Sequence, residues 1–216
     1  MKSNKHFYPI YINLMDKPCL IVGGGTVAQR KVESLLDYGA RVTVVSPVVT
    51  DSLSSFATEG LITIKPRKFV PDDLEVVFMV FIATNDNETN RFIAKLCADK
   101  QILVNAVDDP PNCDFYVPSI VRRGSLALAI STEGKSPMLA KLLREELEGY
   151  LVEEYAEYVD LLGEYRGSIK EEFSDINIRK QIFHDLVHAD IFDILKDGKR
   201  ERARERIEEC ISLWRD

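Results

Sequence analysis

Residues 19–31 read CLIVGGGTVAQRK, and this stretch decides the fold. The apolar run that ends at Val22 predicts a buried strand, and the three glycines that follow interrupt it. Apolar residues then return at helical spacing until Gly39, which predicts a helix over about residues 26–38. A glycine-rich turn between a strand and a helix is typical of the first unit of a nucleotide-binding domain.

The rest of residues 1–112 repeats this alternation of short apolar runs and helical segments. Helical patterns lie near residues 50–58 and 87–100, and the segments RVTVVSP, LITIKPR, EVVFMVFIAT and ILVNAV predict further strands. The run from Val76 to Ala83 is apolar throughout, as in a strand buried on both faces. Strands that alternate with helices predict βαβ units, and therefore an α/β, Rossmann-like, doubly wound parallel sheet.

The pattern changes after the Asp109-Pro110-Pro111 segment. FYVPSIV and SLALAIS predict two short strands, and a helix follows with Ser136 as its N-cap and Pro137 at its first position. From about residue 150 the sequence is charged and helical throughout. We therefore predict three parts: an NAD-binding domain over residues 1–112, a linking and dimerisation segment over 113–147, and a small helical domain over 148–216.

Composition and charge limit the classes of function. The 216 residues carry a net charge of −7, and the part from Glu148 onward holds 11 basic and 18 acidic residues, so the excess acid lies in the C-terminal third. An acidic chain is not expected to bind nucleic acid broadly. The sequence predicts no signal peptide and no membrane-spanning segment. The four cysteines lack CxxC spacing, which favours reduced thiols in a cytoplasmic protein without a metal site.

The glycine loop predicts a dinucleotide site. Gly23 permits the tight turn, Gly25 lets the backbone approach a pyrophosphate, and Ala28 allows close contact between helix and sheet. The N–H groups at the start of the helix attract the anion. At the end of the second strand, Ser46 stands where an acid usually binds the ribose of NAD, and no nearby arginine marks a 2′-phosphate. This neutral site favours NAD over NADP.

Two further segments end strands at the same edge of the predicted sheet. Thr84 and Asn85 are candidates for ribose or nicotinamide contacts, although they could equally cap the next helix. NAVDDPPNCDF then places Asn105 and Asp108 beside the crevice, where a carboxylate could accept a proton while a hydride leaves the substrate. An Asx turn before the two prolines explains the same residues equally well.

A basic cluster follows in this otherwise acidic protein. Between Val117 and Arg144 a single acid, Glu133, accompanies five basic residues: Arg122, Arg123, Lys135, Lys141 and Arg144. Together with the helix start at Ser136, this cluster suits a ligand with several carboxylates. The alternative is a solvated surface with ordinary charges.

Four ordered motifs carry a resemblance to a known family. GGGTVAQRK, ATND, NAVDDPPNCDFYVPSI and STEGKSPMLAKLLREEL, in this order and spacing, resemble the precorrin-2 dehydrogenase family. The same module forms the N-terminal half of bacterial sirohaem synthases and occurs in a bifunctional dehydrogenase–ferrochelatase of yeast. The similarity covers about residues 6–150.

This resemblance implies a function and a set of site residues. The implied reaction is the NAD-dependent oxidation of precorrin-2 to sirohydrochlorin in sirohaem biosynthesis, carried out by a homodimer. The family's essential aspartate corresponds to Asp108. The implied cofactor contacts are Gly23, Gly25, Thr26, Val27, Ser46, Pro47 and Val48, with Thr84 and Asn85 added from the strand pattern. The expected substrate contacts are Asn105, Arg122, Arg123, Lys135 and Ser136.

Two alternatives stay open at this point. Some family members also insert Fe²⁺ into sirohydrochlorin, whereas others leave that step to a separate chelatase. His184 and His188 lie four residues apart on a predicted helix, but the sequence offers no third ligand beside them, so we expect no resident metal. The chain could also be a regulatory module that senses NAD(H) without catalysis, and turnover of precorrin-2 distinguishes the two.

Overall fold

The structure is a computed structural model that describes residues 6–107 and 109–215. The described chain divides into two compact units, one that ends at Val117 and one that begins at Pro118. The division falls five residues after the predicted boundary, so residues 113–117 of the predicted linking segment belong to the first unit and residues 118–147 to the second. The reason is that residues 113–115 stay attached to the first unit: Asp114 exchanges hydrogen bonds with the backbone of Val104, and the Asn105 amide donates to the Phe115 carbonyl.

The first unit is a five-stranded parallel sheet in the order β3-β2-β1-β4-β5, flanked by helices. Its elements are β1 (Pro18–Val22), α1 (Thr26–Asp37), β2 (Arg41–Val45), α2 (Asp51–Thr58), β3 (Ile62–Lys65), β4 (Met79–Ile82), α3 (Asn87–Lys100) and β5 (Leu103–Ala106). The strand order reverses between β1 and β4, so the polypeptide leaves these two neighbouring strands in different directions. In open α/β sheets, ligands bind at such a switch point, outside the carboxyl ends of the strands.

Two apolar layers hold this sheet between its helices. One packs α1 against one face through Ala28, Val32 and Leu35, and the other packs α3 through Ile93 and Cys97. All four residues of β4 are buried, as the uninterrupted apolar run predicts. The strand covers Met79–Ile82 and is therefore shorter than the apolar run from Val76 to Ala83.

The second unit consists of a hairpin followed by helices. Its elements are β6 (Ser119–Arg123), β7 (Leu126–Ile130), α4 (Pro137–Tyr150), α5 (Glu154–Glu172), α6 (Ile176–His188), α7 (Ile191–Lys196) and α8 (Arg200–Ser212). The hairpin is antiparallel. The helical core contains Tyr158, Leu161, Ile182 and Ile207. None of the helices in the part of the chain that the structure describes is long and apolar enough to cross a membrane.

Local sequence signals locate the helix boundaries well. Helix α1 ends where Gly39 takes a positive φ of 69°, a conformation that glycine adopts without strain. Helix α4 begins at Pro137, and the Ser136 hydroxyl accepts a hydrogen bond from the Leu139 N–H, as predicted. Strand β6 starts only at Ser119, later than the apolar run FYVPSIV, because Pro118 has no N–H to donate to a ladder.

Candidate active site

The glycine loop packs tightly against the ends of the two neighbouring strands. Gly23 has a φ of +122°, and a Cβ there would lie 2.3 Å from the Ala83 carbonyl oxygen. A Cβ on Gly24 would lie 2.1 Å from the Val48 oxygen. The need for glycine at position 24 does not follow from the pattern of Gly23, Gly25 and Ala28. The three consecutive glycines in the sequence are the signal that could have indicated it. Both residues must be glycine because backbone occupies the place of a side chain.

Gly25 differs from its two neighbours because the space that its side chain would occupy is open. A Cβ at Gly25 would meet nothing within 4 Å, and its φ of −83° is open to any residue. Gly25 is the N-cap of α1, but it has no side chain to accept from the first-turn N–H groups, and that turn contains no acid. The free N–H groups and the open space therefore form a surface that a bound pyrophosphate fits.

The segment after β2 presents an uncharged surface. Ser46 is buried and donates a hydrogen bond of 2.6 Å to the Val48 carbonyl, whereas Pro47 and Val48 are exposed. The Ser46 N–H bonds to the Lys65 carbonyl at 3.2 Å, so this segment adjoins the end of β3, where Lys65 is the last residue and Arg67 follows shortly after. Both of these cationic side chains bind the carboxylate of Asp73.

Asp73 is a buried carboxylate that holds both of these cations. Arg67 binds both of its oxygens at 2.7 Å, Lys65 binds one at 2.8 Å, and the Val70 N–H adds a bond of 3.0 Å. Hydrogen bonds from Arg67, then Lys65 and the backbone, hold the pKa of the Asp73 carboxyl well below its usual range. This cluster fixes the connection between β3 and β4.

The ATND motif forms the turn from β4 into α3. The Thr84 hydroxyl donates to the Asn90 side-chain oxygen and accepts from the Asp86 N–H at 3.2 Å. The Asp86 carboxylate caps α3 by accepting from the N–H groups of Glu88 and Thr89. Thr84 thus contributes to the turn at the start of α3, and Asn85 is exposed at the sheet edge.

A cavity of about 560 Å³ opens at this edge of the first unit. The glycine-loop helix α1 contributes to one side of it, and the start of α3 and the segment after β5 contribute to the others. Its lining residues are Val27, Ala83, Thr84, Asn85, Asn87, Asn90, Arg91, Val107 and Asp109. Val27, Thr84 and Asn85 could be identified as candidates from sequence patterns, whereas those patterns did not indicate Asn87, Asn90 and Arg91. Their position in the first two turns of the helix that follows ATND is the signal that could have found them.

The segment after β5 is held by a network around Cys113. Its thiol accepts from the Ala106 N–H at 3.2 Å and lies 3.1 Å from the Ala106 carbonyl, to which it donates. Burial raises the pKa of the Cys113 thiol. Asn105 is buried, and its amide donates to the Phe115 carbonyl at 2.9 Å. Asn105 therefore positions this segment, and Asp109 lines the cavity; Asp108 lies outside the described residues.

Lys31 adds a positive charge one turn along α1 from Val27. Its ammonium lies 5.6 Å from the centre of the Phe81 ring, which in turn packs edge-on against Phe115. Burial, and then the charge of Arg30, lower the pKa of Lys31. This partly buried cation lies in the same unit as the glycine loop.

The predicted basic cluster lies in the second unit, and its members have different environments. Arg123 is largely buried: its guanidinium donates to the carbonyls of Leu151 and Glu148 and pairs with Glu153. Arg122 is exposed, and Lys135 lies 3.6 Å from Glu133 with most of its side chain exposed. On α4, Lys141 pairs with Glu145, and Arg144 pairs with Glu145 and Glu148.

The two histidines on α6 form a stacked pair. Their ring centres are 4.1 Å apart; the Nδ1 of His188 bonds to the His184 carbonyl and that of His184 to Asp185. Among the residues that the structure describes, no three His, Cys, Asp or Glu side chains come together as a metal site would require.

Taken together, the sheet and its carboxyl-edge loops define a class of protein. A parallel sheet with this strand order, a glycine loop before an uncapped helix and a polar cavity beside it form a Rossmann-like dinucleotide-binding protein.

Comparisons with known proteins agree with this class and narrow it. Residues 10–119 match the family described as putative NAD(P)-binding, residues 123–150 the sirohaem biosynthesis protein central family, and residues 154–211 the sirohaem synthase dimerisation region. The solved structure of SirC, precorrin-2 dehydrogenase, is similar with a TM-score of 0.76 and 30% identity, covering 94% of this chain and all of that one. The chain belongs to the precorrin-2 dehydrogenase family.

Curated relatives are longer proteins. A siroheme synthase of Thioalkalivibrio sulfidiphilus is 36% identical over 97% of this chain and 43% of its own length. Siroheme synthase 1 of Aeromonas salmonicida is 40% identical over 85% of this chain and 39% of its own length. The chain thus spans about two fifths of the length of these curated relatives.

Proposed function

We propose that this chain oxidises precorrin-2 to sirohydrochlorin with NAD⁺ as hydride acceptor. The observation that carries the proposal is the open side of Gly25 at the uncapped start of α1, next to a cavity that Val107 and Asp109 also line. This arrangement supports a site at which the dinucleotide lies close to the predicted catalytic segment. The likeness to a precorrin-2 dehydrogenase over that protein's full length supports the choice of substrate.

We propose NAD rather than NADP as the cofactor. The exposed residues after β2, Pro47 and Val48, carry no charge that would bind a 2′-phosphate. Lys65 and Arg67 lie at the same sheet edge, but both bind the buried Asp73 carboxylate. A 2′-phosphate would have to compete with that carboxylate for each cation, and Asp73 is already in place.

In the proposed reaction the chain's residues bind, orient and remove a proton. When bound, the nicotinamide accepts a hydride from the substrate, and the substrate also loses one proton. The first-turn N–H groups of α1 hold the pyrophosphate, and Thr26 and Val27 border it. We propose that Asp108 accepts the proton, as its correspondence to the family's aspartate suggests. Asp109 accepts a hydrogen bond of 2.7 Å from the Asn112 amide, so its part is to shape the loop.

Substrate carboxylates require cations, and in the second unit both Arg122 and Lys135 are exposed. We propose that Arg122 and Lys135 bind such carboxylates. Arg123 has carbonyl partners at the end of α4, so its proposed role is to hold β6 in place for its neighbour. Asn105 has a supporting role in this proposal, because its amide holds the segment after β5. Ser136, the chain neighbour of Lys135, caps the start of α4.

We further propose that the chain acts as a homodimer. Helix α4 exposes a set of large apolar side chains, with 73% of Met138, 49% of Leu142 and 45% of Leu139 exposed. A surface of this kind on one helix is typical of an interface. The match of residues 154–211, which run from α5 into α8, to a sirohaem synthase dimerisation region supports the homodimer independently of the α4 surface.

An anaerobic assay tests the proposed function. Purified protein with precorrin-2 should form NADH with NAD⁺, at a higher kcat/KM than with NADP⁺. The Asp108→Ala variant should bind NAD⁺ normally and lose roughly 10²–10⁴-fold in kcat, the usual range for a positioned acid–base group. Asp109→Ala is the control and should lose stability rather than turnover.

Each outcome of this assay has a distinct meaning. If the wild-type protein binds NAD⁺ but turns over no precorrin-2, the chain is a sensing module and the proposed function is wrong. Near-normal turnover by Asp108→Ala with an inactive Asp109→Ala moves the proton acceptor by one residue. Higher efficiency with NADP⁺ refutes the cofactor assignment alone.

A further inference from the structure

Arg91 has a position in the cavity that the functions described above leave unexplained. Of the described residues that line the cavity, Arg91 is the only basic one and Asp109 the only acidic one. Arg91 is exposed on the second turn of α3, and within the described part of the chain no carboxylate forms an ion pair with it. Most cations on the second unit's helices, in contrast, are paired: Arg202 binds Glu205 and Glu209 on α8, for example.

The residues around Arg91 are suited to a polar ligand. Asn85, Asn87 and Asn90 line the same cavity and bring carboxamide groups, and Thr84 adds a hydroxyl. Asn90 is fixed by its bonds to Thr84, since its amide donates to the Thr84 carbonyl at 3.1 Å. A guanidinium surrounded by neutral polar groups attracts an anion and gives it further hydrogen-bond partners.

Two anions could reach this guanidinium, namely the cofactor's pyrophosphate and a substrate carboxylate. The pyrophosphate has its own site in the glycine loop, where the N–H groups at the start of α1 are free of a side-chain cap. Arg91 belongs to a different helix, and it shares the cavity with Val107 and Asp109, the chain neighbours of the predicted catalytic residue. A ligand that touches Arg91 in this cavity therefore also borders the reacting segment.

We propose that Arg91 binds a carboxylate of the tetrapyrrole substrate and so orients the ring for oxidation. This inference rests on the proposed function and adds a binding residue to it. Because precorrin-2 is a polycarboxylate, a bidentate contact with one guanidinium that lines the cavity selects among its orientations. Arg91 is a substrate-binding residue in this proposal, and it takes no part in proton transfer.

The test compares Arg91→Gln with Arg91→Lys and with a matched control, Lys95→Gln. Lys95 is exposed on the next turn of α3 and does not line the cavity, so this control removes one positive charge from the same helix. Arg91→Gln should raise the KM for precorrin-2 by roughly 10- to 100-fold, the loss expected for one charge-assisted hydrogen bond. Its kcat should fall less than its KM rises, and its Kd for NAD⁺ should stay within about 2-fold of wild type. Arg91→Lys should recover part of the loss, and Lys95→Gln should behave as wild type.

A second measurement separates this inference from the proposed function. Binding of metal-free sirohydrochlorin is followed by the quenching of protein fluorescence, without any turnover, and Arg91→Gln should weaken it by a similar factor. An active wild type with an unchanged KM and unchanged sirohydrochlorin affinity in Arg91→Gln overturns the role of Arg91 only. A rise in the Kd for NAD⁺ instead assigns Arg91 to the cofactor and also overturns the inference. Loss of folding, seen by circular dichroism, in Arg91→Gln but not in Lys95→Gln makes the residue structural and rejects it as well.

Discussion

The glycine loop permits a prediction in which binding and stability change in opposite directions. Gly25 has open space where a Cβ would be, and its φ of −83° suits any residue. It is also the N-cap of α1, a position that aspartate fills well because its carboxylate accepts from first-turn N–H groups. We therefore expect Gly25→Asp to fold as well as wild type, with a gain in stability of a few tenths of a kcal/mol.

The same substitution should strongly weaken the affinity for the dinucleotide. The new carboxylate takes the N–H groups that the pyrophosphate needs, and it places a negative charge beside the phosphates. Two unit charges about 4 Å apart repel by about 1 kcal/mol in water and about 4 kcal/mol in the effective dielectric of a protein surface. Since about 1.4 kcal/mol corresponds to a factor of ten, the Kd for NAD⁺ should rise by roughly 5- to 700-fold.

Two further variants separate charge from shape. Gly25→Asn keeps the cap and the size of the side chain but removes the charge, so its loss of affinity should be much smaller. Gly23→Ala should lower the melting temperature by several degrees, because the Cβ would lie 2.3 Å from the Ala83 oxygen at a φ of +122°. Calorimetric titration with NAD⁺ and thermal unfolding, followed by circular dichroism, measure both effects.

Particular results would refute this reasoning. Wild-type affinity for NAD⁺ in Gly25→Asp means that the loop is only a turn. An equal loss in Gly25→Asn and Gly25→Asp means that bulk rather than charge excludes the cofactor. A melting temperature that falls as far in Gly25→Asp as in Gly23→Ala contradicts the open space at Gly25.

The remaining predictions concern charges away from the glycine loop. The lowered pKa of Asp73 means that its bonds stabilise the fold above the unfolded carboxyl pKa of about 3.9 and that this stability is lost as the pH falls below it. Asp73→Asn should therefore cost roughly 2–4 kcal/mol at pH 7 and weaken the acid dependence of unfolding; an unchanged urea midpoint at pH 7 would show that the bonds from Arg67 contribute nothing. In the second unit, Arg122→Gln with Lys135→Gln should raise the KM for precorrin-2 and reduce its salt dependence, whereas Arg123→Gln should mainly lower the melting temperature. Equal kinetic losses in both arms would contradict this division of roles.

Several elements of the fold follow from local sequence signals. The alternation of apolar runs with helical segments predicted the parallel sheet, and the similarity to SirC over its full length confirms this fold class. The Ser136-Pro137 pair located the start of α4, because an N-cap and a proline act within one turn. In the helical part, Ile182, Leu186 and Val187 all recur at helical spacing, but the first two are buried in the core whereas Val187 is 56% exposed. Periodicity alone cannot distinguish adjacent apolar positions, since the packing partner decides which one is covered.

In the candidate site, too, local sequence signals identify some residues, whereas others depend on partners that are remote in sequence. Gly23, Gly25 and Ala28 could be identified because their reasons are local: a turn, an open approach and a helix contact. The role of Gly24 depends on Val48, and Arg123 depends on carbonyls 25 and 28 residues away, so neither could be deduced from neighbouring residues. Arg91 carries no motif at all, and only the cavity marks it.

The sequence by itself therefore determined which segments become strands and helices, and it identified the glycine loop that we propose as the dinucleotide site. Backbone conformation and amphipathic spacing act over a few residues, and a sequence shows them directly. The tertiary structure decided which charges are available to a ligand. Partners within the protein bind three of the cations, namely Lys65, Arg67 and Arg123, whereas Arg91 lines the cavity. The pairing of a charged side chain depends on distances between chain segments that are remote in sequence, and only the folded sheet and hairpin set those distances.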